Sequence, residues 1–178
     1  RMTMSGSPNR PSVFPNVVIG HEDYAMLWRQ MQLGLAPHFA ASIENKVTIK
    51  PTPQWNTVAE IRGSETPGEV VILGGHLDSW DLGEGSTDNG AGAATVLEAA
   101  GVIAASGVKP KRTIRFILFT GEEEGLLGSA AYAQAHAADA DSIQAVLVLD
   151  NGTGRITGQA LQGRPEDHQL WQDLLAPL

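Results

Sequence analysis

Six side chains able to bind a metal or move a proton fall at four points along the middle of this chain: His76 with Asp78, Asp88, the adjacent pair Glu122 and Glu123, and Asp150. All but Asp88 close or follow apolar runs, Val70–Gly74, Thr113–Thr120 and Ala145–Asp150, whose composition predicts buried strands. In an open parallel sheet the carboxyl ends of the strands form the edge where ligands bind. Asp81, Glu84, Asp88 and Asn89 crowd the loop that follows the first of these runs. So many anionic groups at one edge repel each other unless cations are present, and a metal site accounts for them directly.

Zinc takes imidazole nitrogen and carboxylate oxygen at about 2.0–2.2 Å, and a two-metal site needs a bridging carboxylate to hold its ions roughly 3.5–4 Å apart. His76 and Asp88 supply one donor of each kind, and Asp88 is the candidate bridge. The run Gly85-Ser-Thr-Asp-Asn-Gly-Ala-Gly92 places Asp88 before a helix, among small residues that let the backbone approach an ion or substrate. Asp78 is placed to accept the second N–H of the His76 imidazole and so fix its tautomer. Glu122 and Glu123 can point in different directions from a turn, Glu123 to a metal and Glu122 free to move protons. Metal-assisted amide hydrolysis needs that division: zinc lowers the pKa of a bound water toward about 7, and a general base carries its proton to the leaving amine.

Each residue also has a plainer job open to it. Asp88 could cap the following helix, Asp150 could be a turn residue leading into Asn151-Gly-Thr-Gly154, and Glu124 is read only as favouring a helix dipole. His21, His38, His136 and His168 have no other candidate ligand beside them. Asp81 and Glu84 read as solvated loop residues, and Trp80 stands equally between cleft lining and packing.

The elements that must position these groups follow from periodicity. Apolar residues between Glu22 and Gly34 recur at helical spacing, Val47–Lys50 and Trp55–Arg62 read as strands, and Gly63–Gly68 as a turn. From Glu69 the order is strand Val70–Gly74, helix Ala91–Ala105, strand Thr113–Thr120, helix Gly125–His136, strand Ala145–Asp150, then a helix over Pro165–Leu175. Such alternation implies right-handed crossovers and a three-layer α/β/α fold with a mostly parallel sheet.

Composition narrows the functions. With 178 residues and 42% hydrophobic content the chain can bury one sizeable core. A formal charge of −8, without an uninterrupted basic run, argues against nucleic acid as a partner. No apolar stretch approaches the roughly 18 residues of a membrane span. The absence of cysteine removes disulfides, thiolate ligands and cysteine nucleophiles, so any metal must rest on His and carboxylate.

Four ordered segments carry a resemblance: Gly74-Gly-His-Leu-Asp-Ser-Trp-Asp81, Ser86-Thr-Asp-Asn-Gly-Ala-Gly92, Phe119-Thr-Gly-Glu-Glu-Glu-Gly125 and Val148-Leu-Asp150. Together they resemble the M28 metallopeptidases, in particular the carboxypeptidase Q-like branch, over roughly Asp23 to Asp150. The resemblance implies two zinc ions on the positions of His76, Asp88, Glu123 and Asp150, with Asp88 bridging, Glu122 as general base and Asp78 orienting the histidine. It implies short peptides or dipeptides as substrates, export to a secreted or periplasmic location, and compatibility with a homodimer. Residues 1–45 resemble the tail of a protease-associated lid domain and its connector, and 46–178 the N-terminal portion of the catalytic domain.

Two positions depart from the pattern. Many members carry Asp where this chain has Asn89, a variation read as tolerated. The final zinc-ligating histidine of the family falls beyond Leu178, since His168 comes too soon after Asp150, so the 178-residue chain by itself is expected to be inactive. Two other functions remain open: a non-catalytic binding protein on the same scaffold, against which the intact Asp88, Glu122 and Glu123 argue, and a glutaminyl-cyclase-like acyltransferase working with one zinc.

Overall fold

A computed structural model describes residues 17–44, 50, 52–80, 83–150 and 152–177. Four strands, β1 (Thr57–Ile61), β2 (Thr66–His76), β3 (Arg112–Phe119) and β4 (Ile143–Val148), form one sheet in the order β1-β3-β2-β4. The pairs β2–β3 and β2–β4 are parallel, and β1 runs antiparallel to β3 at one edge. The chain leaves β2 for β3 on one side through helix α2 (Ala91–Ala105). It then crosses β2 to reach β4 through α3 (Leu127–Ala135). The direction of winding reverses at β2, and the crevice at such a reversal opens at the carboxyl end of the strand, here His76.

Alternation along β3 sends its side chains to two small cores. Phe116 and Leu118 pack with Ala93 and Val96 of α2, with Leu73 and Ile103 against them. Ile117 faces the opposite way and packs with Val70 and Ile72, with Phe119, Tyr132 of α3 and Ile143 beside them. Helices therefore cover both faces of the sheet, as the strand and helix alternation predicts. Ile117 is wholly buried and central to the second core.

Several boundaries move from those the sequence suggests. The first edge strand is shorter than Trp55–Arg62, and its antiparallel pairing is, among the described residues, the one exception in the mostly parallel sheet that the sequence implies. Strand β2 begins at Thr66, inside the expected turn, with a shift of register between Thr66 and Val70. Thr113 locks that irregularity: its hydroxyl donates to the Pro67 carbonyl at 2.8 Å and accepts the Gly63 N–H at 3.1 Å. A side chain at Gly63 would meet the β3 backbone at 2.6 Å, so only glycine passes there.

Helix α3 starts two residues after Gly125, because Gly125 (φ 113°) and Leu126 (φ 60°) are left-handed and belong to the preceding turn. Strand β4 ends at Val148, leaving Asp150 just beyond it. The last helix divides into a short 3₁₀ turn, Pro165–Asp167, and α4 (His168–Leu175). Helix α1 (His21–Gln32) forms where the periodicity places it, yet none of its residues is buried. The strand expected at Val47–Lys50 lies outside the described residues but for Lys50.

Replacing Ile117 by Ala removes buried methyl groups from a well-filled position and is expected to cost about 2–5 kcal/mol of stability. A lowered urea midpoint of the full-length protein checks this; an unchanged midpoint would mean that the second core does not hold the sheet.

Candidate metal centre

His76 ends β2 only 2% exposed; the two glycines before it leave room for close neighbours, Phe119 and the Ile117 carbonyl at Gly74, and Asn89, Gly92 and the Leu149 carbonyl at Gly75. Its Nδ1 lies 2.9 Å from the Asp78 backbone carbonyl. A carbonyl can only accept, so Nδ1 carries the proton and the Nε2 lone pair is free to bind an ion. Around Nε2 stand three carboxylate oxygens: Asp150 Oδ1 at 3.0 Å, Asp88 Oδ1 at 3.2 Å and Glu122 Oε2 at 3.8 Å. One ring nitrogen has at most one proton to offer three acceptors.

The Asp78 carboxylate has backbone partners besides the imidazole. It lies 3.7 Å from Nδ1 and accepts the backbone N–H of Glu122 at 3.0 Å and of Glu123 at 3.1 Å, one on each oxygen. The backbone carbonyl of Asp78 orients His76, and its side chain fixes the turn bearing both glutamates. Asn56 braces the same turn from β1's side, accepting Thr120 N–H at 3.1 Å and donating to the Gly128 carbonyl at 2.8 Å. No periodicity or spacing marks Asn56 in the sequence.

Asp88 sits in an irregular turn, Ser86–Gly90, with extended backbone angles and a half-exposed side chain. It makes no capping hydrogen bond; the Gly92 N–H goes to the Asn89 side chain instead, at 3.0 Å. The cap that the sequence offered to Asp88 belongs to its neighbour, because the extended Asp88 backbone turns that side chain outward to His76.

Ligand-capable atoms gather in two groups, His76 with Asp88 and Asp150, and His76 with Glu122 and Glu123, each within 4.8 Å. The structure thus brings all five predicted metal and base residues to one sheet edge. His168 is exposed on α4 and joins neither group; Glu84 is exposed, and Asp81 lies outside the described residues. One buried atom decides that the cluster suits a cation. Glu123 Oε1 is buried with no hydrogen-bond partner, a costly arrangement for a carboxylate oxygen unless a positive ion completes it. A donor set of one imidazole nitrogen and carboxylate oxygens suits zinc.

The electrostatics record the same crowding. Burial works to lower the His76 pKa, but Asp150, the Asp78 carbonyl and Glu122 outweigh it and push the imidazole above 6.5. Burial raises Glu122 above 4.5 against the pull of His76, with Asp150, Asp78 and Asp88 adding to it; burial, then Asp88 and Glu122, raise Glu123 above 4.5 against a smaller pull from His76.

The model of peptidase family M28 matches residues 56–176. The chain belongs to peptidase family M28. It is 38% identical to Carboxypeptidase Q of Xenopus laevis over 161 residues, 90% of this chain and 34% of that protein. An aminopeptidase of Pseudomonas aeruginosa is 36% identical over 118 residues, 66% of this chain and 20% of that protein. Among solved structures, an M28 peptidase precursor from Shewanella amazonensis superposes with a TM-score of 0.55 at 46% identity, covering 57% of this chain and 23% of its own. BSAP, a zinc aminopeptidase from Bacillus subtilis, gives a TM-score of 0.50 at 31% identity, covering 54% and 24%. The chain spans about a third of the length of the carboxypeptidase Q proteins it matches. No helix among the described residues is long and apolar enough to cross a membrane.

Raised pKa values at His76, Glu122 and Glu123 put protons in competition with a metal for this cluster. His76 raised above 6.5 favours the metal-free folded state at low pH, a benefit lost as pH rises through its folded pKa; raised Glu122 and Glu123 act in the same direction from 4.5 upward. Zinc binding is therefore expected to be tighter at about pH 7.5 than at about pH 6, with proton release. Chelator competition at the two pH values checks this, and an affinity that does not change with pH would contradict it.

Proposed function

We propose that this chain carries the core of the active site of a co-catalytic zinc exopeptidase that cleaves terminal peptide bonds of short peptides or dipeptides. The observation that carries the proposal is the convergence of Asp150, Asp88 and Glu122 on a single buried imidazole nitrogen, 3.0, 3.2 and 3.8 Å away. Carboxypeptidase and aminopeptidase relatives, and a zinc enzyme among the structural neighbours, support the substrate class and the metal.

In this reading His76, Asp88 and Asp150 would hold one zinc and Glu123 a second, with Asp88 as the candidate carboxylate shared between them. The unpartnered Oε1 supports Glu123 as a ligand. Glu122 stands farthest from Nε2 of the three carboxylates, which supports a role outside the ligand set. Zinc, when bound, supplies a Lewis acid that makes water nucleophilic near neutral pH and polarises the scissile carbonyl.

The protein's own groups handle the proton. Burial, opposed by His76 and reinforced by Asp150, Asp78 and Asp88, raises the Glu122 carboxyl, so it holds a proton more firmly than an ordinary glutamate. Its Oε2 accepts the proton of the attacking water and delivers it to the amide nitrogen as the C–N bond breaks, leaving a neutral amine and a new carboxyl group. Asp78 keeps base and ligand in register through the two backbone N–H groups it accepts.

The same reading assigns residues 1–45 to a lid-domain tail and connector and 46–178 to the catalytic domain. Support comes from α1, which buries none of its residues and leaves Tyr24, Trp28 and Met31 more than half exposed. Export of the protein belongs to the proposal as well.

In the full-length protein, Glu122→Gln is expected to keep its zinc and lose about 10²–10⁴-fold in turnover, while Asp88→Ala loses zinc and activity together. Metal content and hydrolysis of free and N-blocked dipeptides check both. Zinc without hydrolysis of any peptide by the wild type would support a binding or acyl-transfer role instead.

A further inference from the structure

Three of the proposed zinc ligands lie next to one buried side chain, Asn89: Asp88 is bonded to it directly, Asp150 follows Leu149, whose carbonyl Asn89 contacts, and His76 follows Gly75, which packs close to it. Asn89 follows Asp88 directly and is 2% exposed, among the most completely buried side chains described. Its Nδ2 donates to the carbonyl of Leu149, the residue before Asp150, at 2.8 Å. Its Oδ1 accepts the Gly92 N–H at 3.0 Å, at the start of α2. Gly75, the residue before His76, lies so close that a Cβ there would come within 3.3 Å of Nδ2 and of the Leu149 carbonyl. A Cβ on Gly92 would fall 2.2 Å from both Asn89 Oδ1 and that carbonyl, so the glycine is what lets the contact form. The Leu149 N–H in turn donates to the Gly74 carbonyl at 3.1 Å.

We propose that Asn89 is a positioning residue, whose carboxamide fastens the Asp88 turn to the Leu149–Asp150 segment and so sets the spacing of Asp88 and Asp150 about His76. Its significance for metal rests on the zinc-site reading above. A carboxamide is the side chain that fits, because the site requires a donor toward Leu149 and an acceptor toward Gly92 within one planar group. An aspartate keeps the acceptor and loses the donor, setting a buried oxygen against a carbonyl oxygen. In this chain, where Asn89 donates to Leu149, exchange to Asp is expected to weaken that link.

Asn89→Asp separates positioning from helix capping, since Asp caps a helix as well as Asn does. The test uses the full-length protein, with hydrogen exchange in the metal-free form and zinc affinity by chelator competition. Positioning predicts faster exchange over residues 147–150 with β1 and β3 unchanged, and zinc affinity lower by about 10- to 100-fold. Asn89→Ala, which lacks both polar atoms, is expected to show the same local exchange and also to fray the first turn of α2.

A capping role alone predicts that Asn89→Asp leaves exchange over 147–150 and zinc affinity intact; either result overturns the proposal. If the wild type binds no zinc, the metal reading fails, and the exchange arm by itself decides whether Asn89 fastens the two segments.

Discussion

Like charges at close range dominate this structure. Five carboxyl groups, from Asp78, Asp88, Glu122, Glu123 and Asp150, are drawn around one buried imidazole; their attraction raises the His76 pKa against burial, and burial first, with the carboxylate neighbours adding to it, raises Glu122 and Glu123. Such a cluster weakens the metal-free fold and rewards any cation that enters it. The rest of the architecture can be understood as what is needed to hold mutually repelling groups a few ångströms apart.

The sheet supplies most of that restraint. Reversal of winding at β2 opens the crevice, β3 and β4 flank it in parallel register, and two apolar cores on opposite faces keep the strand ends fixed. Polar clamps do the finer work at the edge. Asp78 takes two backbone N–H groups from the glutamate turn, Asn56 braces the strand end before it, and Asn89 ties the turn of Asp88 to Leu149. In each case a side-chain oxygen or amide substitutes for secondary structure where the chain is irregular.

What the sequence made legible was the apolar periodicity and the chemistry of donors. Helix α2 occupies the expected Ala91–Ala105, and His76, Asp88, Glu122, Glu123 and Asp150 meet at one edge as their places after strands and before a helix imply. Less legible were features that depend on tertiary contact. The antiparallel placement of β1 cannot be read from five alternating residues, and the register shift at Thr66 depends on Thr113, far along the chain. A histidine two residues away suggests the Asp78 side chain as its partner, and the sequence does not display that the Asp78 backbone carbonyl lies nearer to Nδ1, at 2.9 Å, than the carboxylate, at 3.7 Å. The burial of Asn89 and its two hydrogen bonds are tertiary features that the sequence does not display.

The central claim is that these carboxylates exist to hold two zinc ions bridged by Asp88. Anomalous diffraction at the zinc edge from crystals of the full-length protein tests it most directly. The account predicts two peaks, one on either side of Asp88, the first against His76 and Asp150 and the second against Glu123. A single peak, or none within reach of His76, would contradict it.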